Sequence, residues 1–513
     1  MSSSRHRAHP PLEFIPQRFN PLVWWAMQAA LPVLLRAHTR PWLPAGIAQV
    51  ETHNVETLVE LYRQFQAGKI RFLMAFRHPE VDDPLSMLHL LSRAVPQTAR
   101  QQGIALRSPV HSHFIYERGM TIWAGEWLGW LFSRMGGFPI HRGKRLDRVG
   151  LKTARHLFAH GRFPITVAPE GATNGHSETV SPLEPGVARL GFWCVEDLLK
   201  ANRPETVLIV PIGIQYRYVK PPWARLDWLL RQLEAETGLS VQSDMGAILA
   251  QPETRETKTR EAIVYERLLR LSERVLTLME AFYRRFYHQE LPDVSLCNPI
   301  ADPLGNPIVN STVNSMVDST ANPTDNPTAN PTANSPTDPA AQLHVRLQVL
   351  LDVALRVPER HFALASEGTL IDRCRRLEEA SWNDIYRDDL PDLGVLSPLE
   401  RGLADWLAEE SALAIRHMRL VESFVAVTSR YLQEKPTVER FAELALLLFD
   451  LVARLRGDKL PQRPRLGWRR SHITIGEPIS VSDRWPDYCA GRQSAKAAVT
   501  TLTEDLQRSL QGL

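Results

Sequence analysis

The chain has 513 residues, 44% of them apolar and 23% charged, which supplies a large core and, at about 150 residues per domain, more than one folded unit. A formal net charge of +3 is too slight to argue for nucleic acid, and no zinc-ligand spacing or RNA-binding aromatic motif accompanies it. The four cysteines, Cys194, Cys297, Cys374 and Cys489, are scattered without a pairing pattern and read as reduced thiols.

In chain order, the first notable stretch is PLVWWAMQAALPVLLR (21–36). It is apolar, but it contains Gln28 and Pro32 and is shorter than the ~20 residues a spanning helix needs. It also lacks the small-residue cleavage site of a signal peptide. Trp24, Trp25 and Trp42, flanked by Arg18, Arg36 and Arg40, suit a segment lying in a membrane interface. A helix packed on the core is the alternative. Residues 1–48 are accordingly set apart as an N-terminal membrane-interface segment.

Residues 49–220 then alternate strand and helix. VETLVELYRQFQAG (55–68) has helical periodicity and a Gly stop, and it leads into the strand IRFLMAF (70–76). A helix from Pro84 to about Arg100 precedes the strand HFIYE (113–117). TIWAGEWLGWLFSRMGG (121–137) places Trp123, Trp127 and Trp130 at helical spacing. That stripe reads as a core face, with a membrane- or acyl-facing surface as the alternative. GFPIHR (137–142) is extended, RVGLKTARHLFAHG (148–161) helical, FPITVAP (163–169) extended, and TVLIVPIGIQYRY (206–218) a long apolar strand. The alternation predicts an α/β domain whose strands are buried on both faces.

Beyond Val219 the pattern becomes helical. In residues 259–289, Val264, Leu268, Leu271, Val275, Leu278, Phe282 and Phe286 form a 3–4 repeat with one packed seam. Between Leu291 and Val345 there is no aromatic residue, Lys or Arg, and NPT recurs at 322, 326 and 330. Such a segment cannot bury enough apolar surface to offset its ordering entropy and reads as a disordered linker. Helical patterns resume over 342–457. SHITIGEPISV (471–481) then reads as a strand and AKAAVTTLTEDLQRSLQ (495–511) as a helix. The expected layout is one α/β domain with a mixed sheet flanked by helices. An α-helical insertion interrupts it at 221–290 and 342–468, with the linker at 291–341 between the two parts. Residues 469–513 complete the core.

The polar cluster FRHPEVDDP (76–84) follows a buried-looking strand at once. Asp83 before Pro84 is a helix-start signal. His78 and Asp83 are also the residue types of a general base and its orienting partner. A second such pair, His288 and Asp293, has no comparable neighbours and reads as coincidence. GGFPIHRGKRLDR (136–148) puts Arg142, Lys144 and Arg145 just past a strand, where a phosphate or carboxylate can be held. VAPEGATNG (167–175) places Glu170 and Gly171 at another strand end, where glycine lets backbone approach a ligand closely. His111 and His113 lack the carboxylate partners of a metal centre, so no metal is expected there.

HPEVDD (78–83), GFPIHR (137–142), APEG (168–171) and VPIGI (210–214), in this order and after these strands, resemble the four blocks of the glycerolipid acyltransferases. These include the 1-acylglycerol-3-phosphate and glycerol-3-phosphate acyltransferases. The resemblance covers about 49–218 and 470–512. It implies an O-acyltransferase of phospholipid biosynthesis or remodelling, moving a fatty acyl group from acyl-CoA or acyl-carrier protein to a hydroxyl of a lysophospholipid or glycerol phosphate. It implies His78 and Asp83 as the catalytic pair, with Asp82 as a rival to Asp83. Arg142, with Lys144 and Arg145, would hold the acceptor phosphate, Glu170 would position acceptor or loop, and Gly171 would lie at the substrate. No cofactor is implied, and the expected location is the cytoplasmic face of a membrane, bound peripherally. Three positions depart from the family pattern: Glu80 stands in place of a Ser, His141 in place of an acidic residue, and Ala172-Thr173 in place of Thr-Arg. Two other readings stay open, a CoA-independent transacylase on the same residues and a non-catalytic membrane- or protein-binding module. The role of the helical insertion and its partner are not legible.

Overall fold

The structure, a computed structural model, describes residues 7–37, 46–141, 147–241, 257–291, 339–390, 394–422, 424, 431–458 and 461–513. The low-complexity segment, Cys297 and Asp293 lie outside these residues, as does Trp42. The chain divides into two compact units, one of residues 1–11 and 226–452, the other of residues 12–225 and 453–513.

The second unit is built on a mixed eight-stranded sheet. Its first helix, α1 (Pro21–Leu34), starts at Asn20, whose side chain accepts from the Leu22 N–H, with Pro21 as the first helical residue. Then come β1 (Ile47–His53), α2 (Val55–Gln66), β2 (Ile70–Phe76), α3 (Asp83–His89) and α4 (Val95–Gln101), the last two joined by a π turn at Leu90–Ala94. The chain continues with β3 (His113–Glu117), α5 (Met120–Ala124), α6 (Glu126–Arg134), β4 (Gly137–Ile140), α7 (Arg148–His160), β5 (Ile165–Val167), α8 (Gly186–Lys200) and β6 (Thr206–Tyr218). After the other unit it returns as β7 (Arg469–Ile475), β8 (Ile479–Ser480) and a helix at Arg492–Gln511.

The strand order is β1-β7-β6-β2-β5-β3-β4, with β8 pairing to β6. β6, β2, β5, β3 and β4 run parallel, β7 is antiparallel to β6, and β1 is parallel to β7. β2 is buried along its whole length. Its period-two alternation sends Phe72, Met74 and Phe76 into the core beneath α1, α2 and α3, and Leu73 and Ala75 into the core shared with α7 and α8. Two buried faces explain why this strand reads as an unbroken apolar run.

Several elements differ from the sequence expectation. β1 carries no strong apolar alternation and was not anticipated. It forms because β7 offers it a ladder, Val50 against Ser471 and Thr52 against Ile473. The single helix expected over 121–137 breaks at Gly125, whose φ of 99° and ψ of 150° suit only glycine. The stripe therefore lies on two short helices, and Trp127 and Trp130 are about half exposed, which corrects the core-face reading. The strand expected over 471–481 ends at Ile475, and β8 takes up the remainder after Gly476-Glu477-Pro478.

The other unit is helical, with α9 (Trp223–Glu236) reaching into it, then helices at Thr257–Tyr287, Pro339–His361, Leu370–Ile385, Pro398–Glu422 and most of Val438–Arg456. Arg267, almost wholly buried, bridges Asp227 at 2.6 Å and Glu234 at 2.8 Å. Along Thr257–Tyr287 the buried seam runs Val264, Leu268, Leu271, Val275, Met279, Tyr283, while Leu278, Phe282 and Phe286 are exposed. Met279 and Tyr283 take the seam positions expected of Leu278 and Phe282, one residue further along the helix in each case.

Candidate active site

β2 ends in the interior of the sheet at Phe76, and the Arg77 N–H continues its ladder to the Ile212 carbonyl of β6 at 3.0 Å. The chain then turns through residues 78–82 into α3. This places His78 and Asp83 at the carboxyl end of a central parallel strand, where α/β sheets bind ligands. His78 Nδ1 lies 2.9 Å from Asp83 Oδ2. The same oxygen accepts the Glu80 N–H at 3.0 Å, and the Tyr216 hydroxyl donates to Oδ1 at 2.6 Å. Asp83 is fully buried, while the His78 side chain keeps 21% of its surface open.

An ionised carboxylate accepts only, so the proton between the pair sits on His78 Nδ1 and leaves Nε2 as the free acceptor. This is the arrangement of a base with a fixed tautomer.

The helix does start at Asp83, with Pro84 in its first turn, but the capping role expected of the Asp83 carboxylate gives way. Asp82 occupies the cap position, and neither carboxylate caps α3 through its side chain. Asp82, fully buried, accepts instead from Arg469 Nη2 of β7 at 2.8 Å. Arg469 Nη1 reaches Glu80 at 3.2 Å, and Arg463 stands 3.8 Å from the same carboxylate. Thus Glu80, an acidic residue where the resembling family has a serine, is countercharged by two arginines. Burial alone works against the Arg469 charge, but Glu80 and Asp82 outweigh it and hold the guanidinium above its ordinary value.

Glu170 closes the arrangement from the loop after β5. Its Oε1 accepts the His78 backbone N–H at 2.9 Å, and its Oε2 accepts Asn174 Nδ2 at 2.9 Å and the Ser181 N–H at 2.8 Å. The Gly175 N–H donates to the Pro79 carbonyl at 3.0 Å, so the two loops are stitched together. Gly171 has a φ of 78°, the left-handed conformation glycine tolerates, and its N–H closes a turn on Ala168 O at 3.2 Å. The N–H groups of Leu85 and Ser86 both point at Asp82 O. The backbone N–H groups of both segments therefore already donate within the protein. Arg142, Lys144 and Arg145 lie outside the described residues. Next to them, Asp147 fixes the flank by accepting from Arg118 at 2.7 Å and from the His141 N–H at 2.8 Å.

His111 and His113 are core residues. Their rings meet the Met135 carbonyl at 2.7 Å and the Gly136 carbonyl at 3.0 Å, and they pack on Phe163. Burial drives both down to about 4, so they stay neutral near pH 7. Among the described residues, donors spaced for a metal occur at Glu51, His53 and His472, on paired strands β1 and β7, where His472 Nδ1 is 3.1 Å from Glu51. Arg470 stands 3.7 Å from that same Glu51 and offsets its charge.

The acyltransferase family model matches residues 50–215. Residues 50–215 form an acyltransferase domain. No curated protein matches the chain. The span runs from β1 through most of β6, and it contains His78, Asp83 and Glu170. Two residues that bond the Asp82–Asp83 pair lie beyond it, and sequence reasoning missed both. Tyr216 was read only as part of a strand, although a hydroxyl on the buried face of β6, in step with Ile212 and Ile214, signals a polar partner inside. Arg469 gave no signal of its own.

Proposed function

We propose that the chain is an O-acyltransferase that moves a fatty acyl group from acyl-CoA or acyl-carrier protein to a hydroxyl of a lysophospholipid or glycerol-phosphate-type acceptor at a membrane surface. The observation that carries this reading is the pair His78 and Asp83, 2.9 Å apart at the end of β2 within the acyltransferase domain.

An alcohol is too weakly acidic to ionise near neutral pH. As its oxygen attacks the thioester carbonyl, His78 Nε2 takes the hydroxyl proton, and Asp83 steadies the imidazolium through Nδ1. The tetrahedral adduct collapses with cleavage of the C–S bond. The imidazolium then returns its proton to the departing thiolate, which releases a thiol and an ester. No covalent enzyme intermediate is needed. Glu170 supports the reaction indirectly by holding the His78 backbone. On the sequence resemblance, Arg142, with Lys144 and Arg145, takes the acceptor phosphate, for which a guanidinium offers a bidentate fork.

The membrane part of the reading rests on exposed apolar side chains. Leu22, Trp25 and Val33 of α1 are 77%, 64% and 65% exposed. Trp127 and Trp130 of α6 are exposed as well, and the Asn20 N–H at the start of α1 bonds the Arg134 carbonyl that ends α6. No described helix is long and apolar enough to cross a bilayer. We therefore place the enzyme on the membrane rather than through it, at its cytoplasmic face.

The test is acyl transfer by the purified protein in lipid vesicles, with labelled acyl-CoA and acyl-carrier protein offered against lysophosphatidic acid, glycerol 3-phosphate and zwitterionic lysolipids. His78→Ala should lower kcat by about 10²–10⁴-fold. Transfer that survives the substitution undiminished would rule out His78 as the base. Transfer between phospholipids without either thioester would point to transacylation instead.

A further inference from the structure

The contacts around Asp83 leave the matched span, by a single residue to Tyr216 near the end of β6 and much further to Arg469 at the start of β7. Tyr216 is buried, and its hydroxyl is also 3.4 Å from Ser86 Oγ, which accepts from Ser471 Oγ of β7 at 3.0 Å. The Arg469 guanidinium lies over the Tyr216 ring, 4.8 Å from its centroid, while its nitrogens hold Asp82 and Glu80. β6 and β7 are antiparallel neighbours, with Tyr216 opposite Ser471 and Tyr218 opposite Arg469, so the two side chains arrive together by register.

A carboxylate has two oxygens and a rotatable bond. Oδ2 is held by His78 and the Glu80 N–H, and the Tyr216 hydroxyl takes the remaining oxygen and completes the restraint on rotation of Asp83. Two adjacent buried carboxylates, Asp82 and Asp83, also repel each other unless a cation stands close. Arg469 is such a cation, and it ties down the loop that carries His78.

We infer that Tyr216 and Arg469 are positioning residues for the His78–Asp83 pair. Tyr216 locks the Asp83 carboxylate, and Arg469 clamps residues 80–82 beneath it, so that the C-terminal strand completes a site the matched span leaves unfinished. The inference rests on the acyl-transfer reading for its kinetic consequence, but its geometric content can be tested without any substrate.

Tyr216→Phe keeps the ring beneath Arg469 and removes one hydroxyl. Arg469→Met is made together with Asp82→Asn, because a lone buried carboxylate would itself unfold the site. Two readouts are taken on each variant and on the wild type. One is kcat and KM for the best substrate pair; the other is the resonance of the His78 Nδ1 proton in protein carrying ¹⁵N-histidine, assigned with His78→Gln. A misaligned base loses rate without losing substrate, so each variant should show kcat lower by about ten- to a hundredfold, KM within about twofold of wild type, and a displaced His78 resonance. A variant that keeps both kcat and resonance removes its residue from the proposal. A rate that falls while the resonance stays in place overturns it as well, because the residue would then act elsewhere. Should the wild type transfer no acyl group while the resonance still moves in both variants, the positioning stands and the acyl-transfer reading falls.

Discussion

Glu170 shows how a single residue type serves a site without touching substrate. Its two oxygens take three N–H donors, one from the His78 backbone and two from its own loop, and the side chain is buried. The Pro-Glu-Gly block was legible in the sequence, which left open whether Glu170 positions acceptor or loop, and the geometry shows it holding the loop that bears His78. His78 and Asp83 were legible because they sit in one short stretch. Tyr216 and Arg469 were not, because they lie 133 residues from Asp83 and 387 from Asp82, and no local spacing records such a meeting. The histidines of the core carry a prediction of their own. His111 and His113 titrate at about 4 in the folded chain, against 6.5 for a free imidazole, because burial disfavours the cation. Between these values the unfolded chain binds more protons, so stability is full above pH 6.5 and falls as pH drops toward 4. The loss is about 2–3 kcal/mol per histidine. Denaturant midpoints measured from pH 7.5 to 4 should fall along this window. The slope should flatten in a His111→Asn, His113→Asn variant, whatever its stability at pH 7.

At the scale of elements, the informative cases are those where an apolar pattern is ambiguous. Periodicity located α1 and the tryptophan stripe, yet periodicity alone does not say whether an apolar face meets protein or lipid. The structure separates buried from exposed positions within a few residues. Leu31 of α1 is fully buried, whereas Leu22, Trp25 and Val33 turn outward. Gly125 similarly divides one expected helix into α5 and α6 and leaves Trp127 and Trp130 open. Tryptophan at a polar–apolar boundary gains from both sides of it, and arginines close by, such as Arg134 over the Trp130 ring, favour anionic headgroups. Replacing Trp25, Trp127 and Trp130 by serine should therefore weaken partitioning onto anionic vesicles by at least about tenfold, read by sedimentation. The melting temperature should hardly move, because these side chains have little packing to lose. Unchanged partitioning would take the membrane role away from this face.

At the scale of the whole molecule, the question is how a sheet survives a long interruption between its strands. β7 lies between β1 and β6, so without residues 453–513 β1 would lose its ladder and β6 would stand as an open apolar edge. The chain leaves and re-enters this unit at neighbouring points. Tyr218, the last residue of β6, is paired with Arg469, the first of β7, and the Val219 N–H bonds the Trp468 carbonyl at 2.8 Å. An interruption whose ends meet costs little, because loop-closure entropy grows only slowly with length and a short connection closes as readily. A chain joining residues 12–225 to 453–513 through a short Gly-Ser linker should thus fold as a soluble, cooperatively melting protein. Residues 50–215 alone, although they span the entire family match, should aggregate. Circular dichroism and size-exclusion chromatography of the two proteins decide the matter. A soluble, folded 50–215 fragment would show that the sheet does not need its returning strand, and Arg469 would then be an accessory to the site rather than part of its frame.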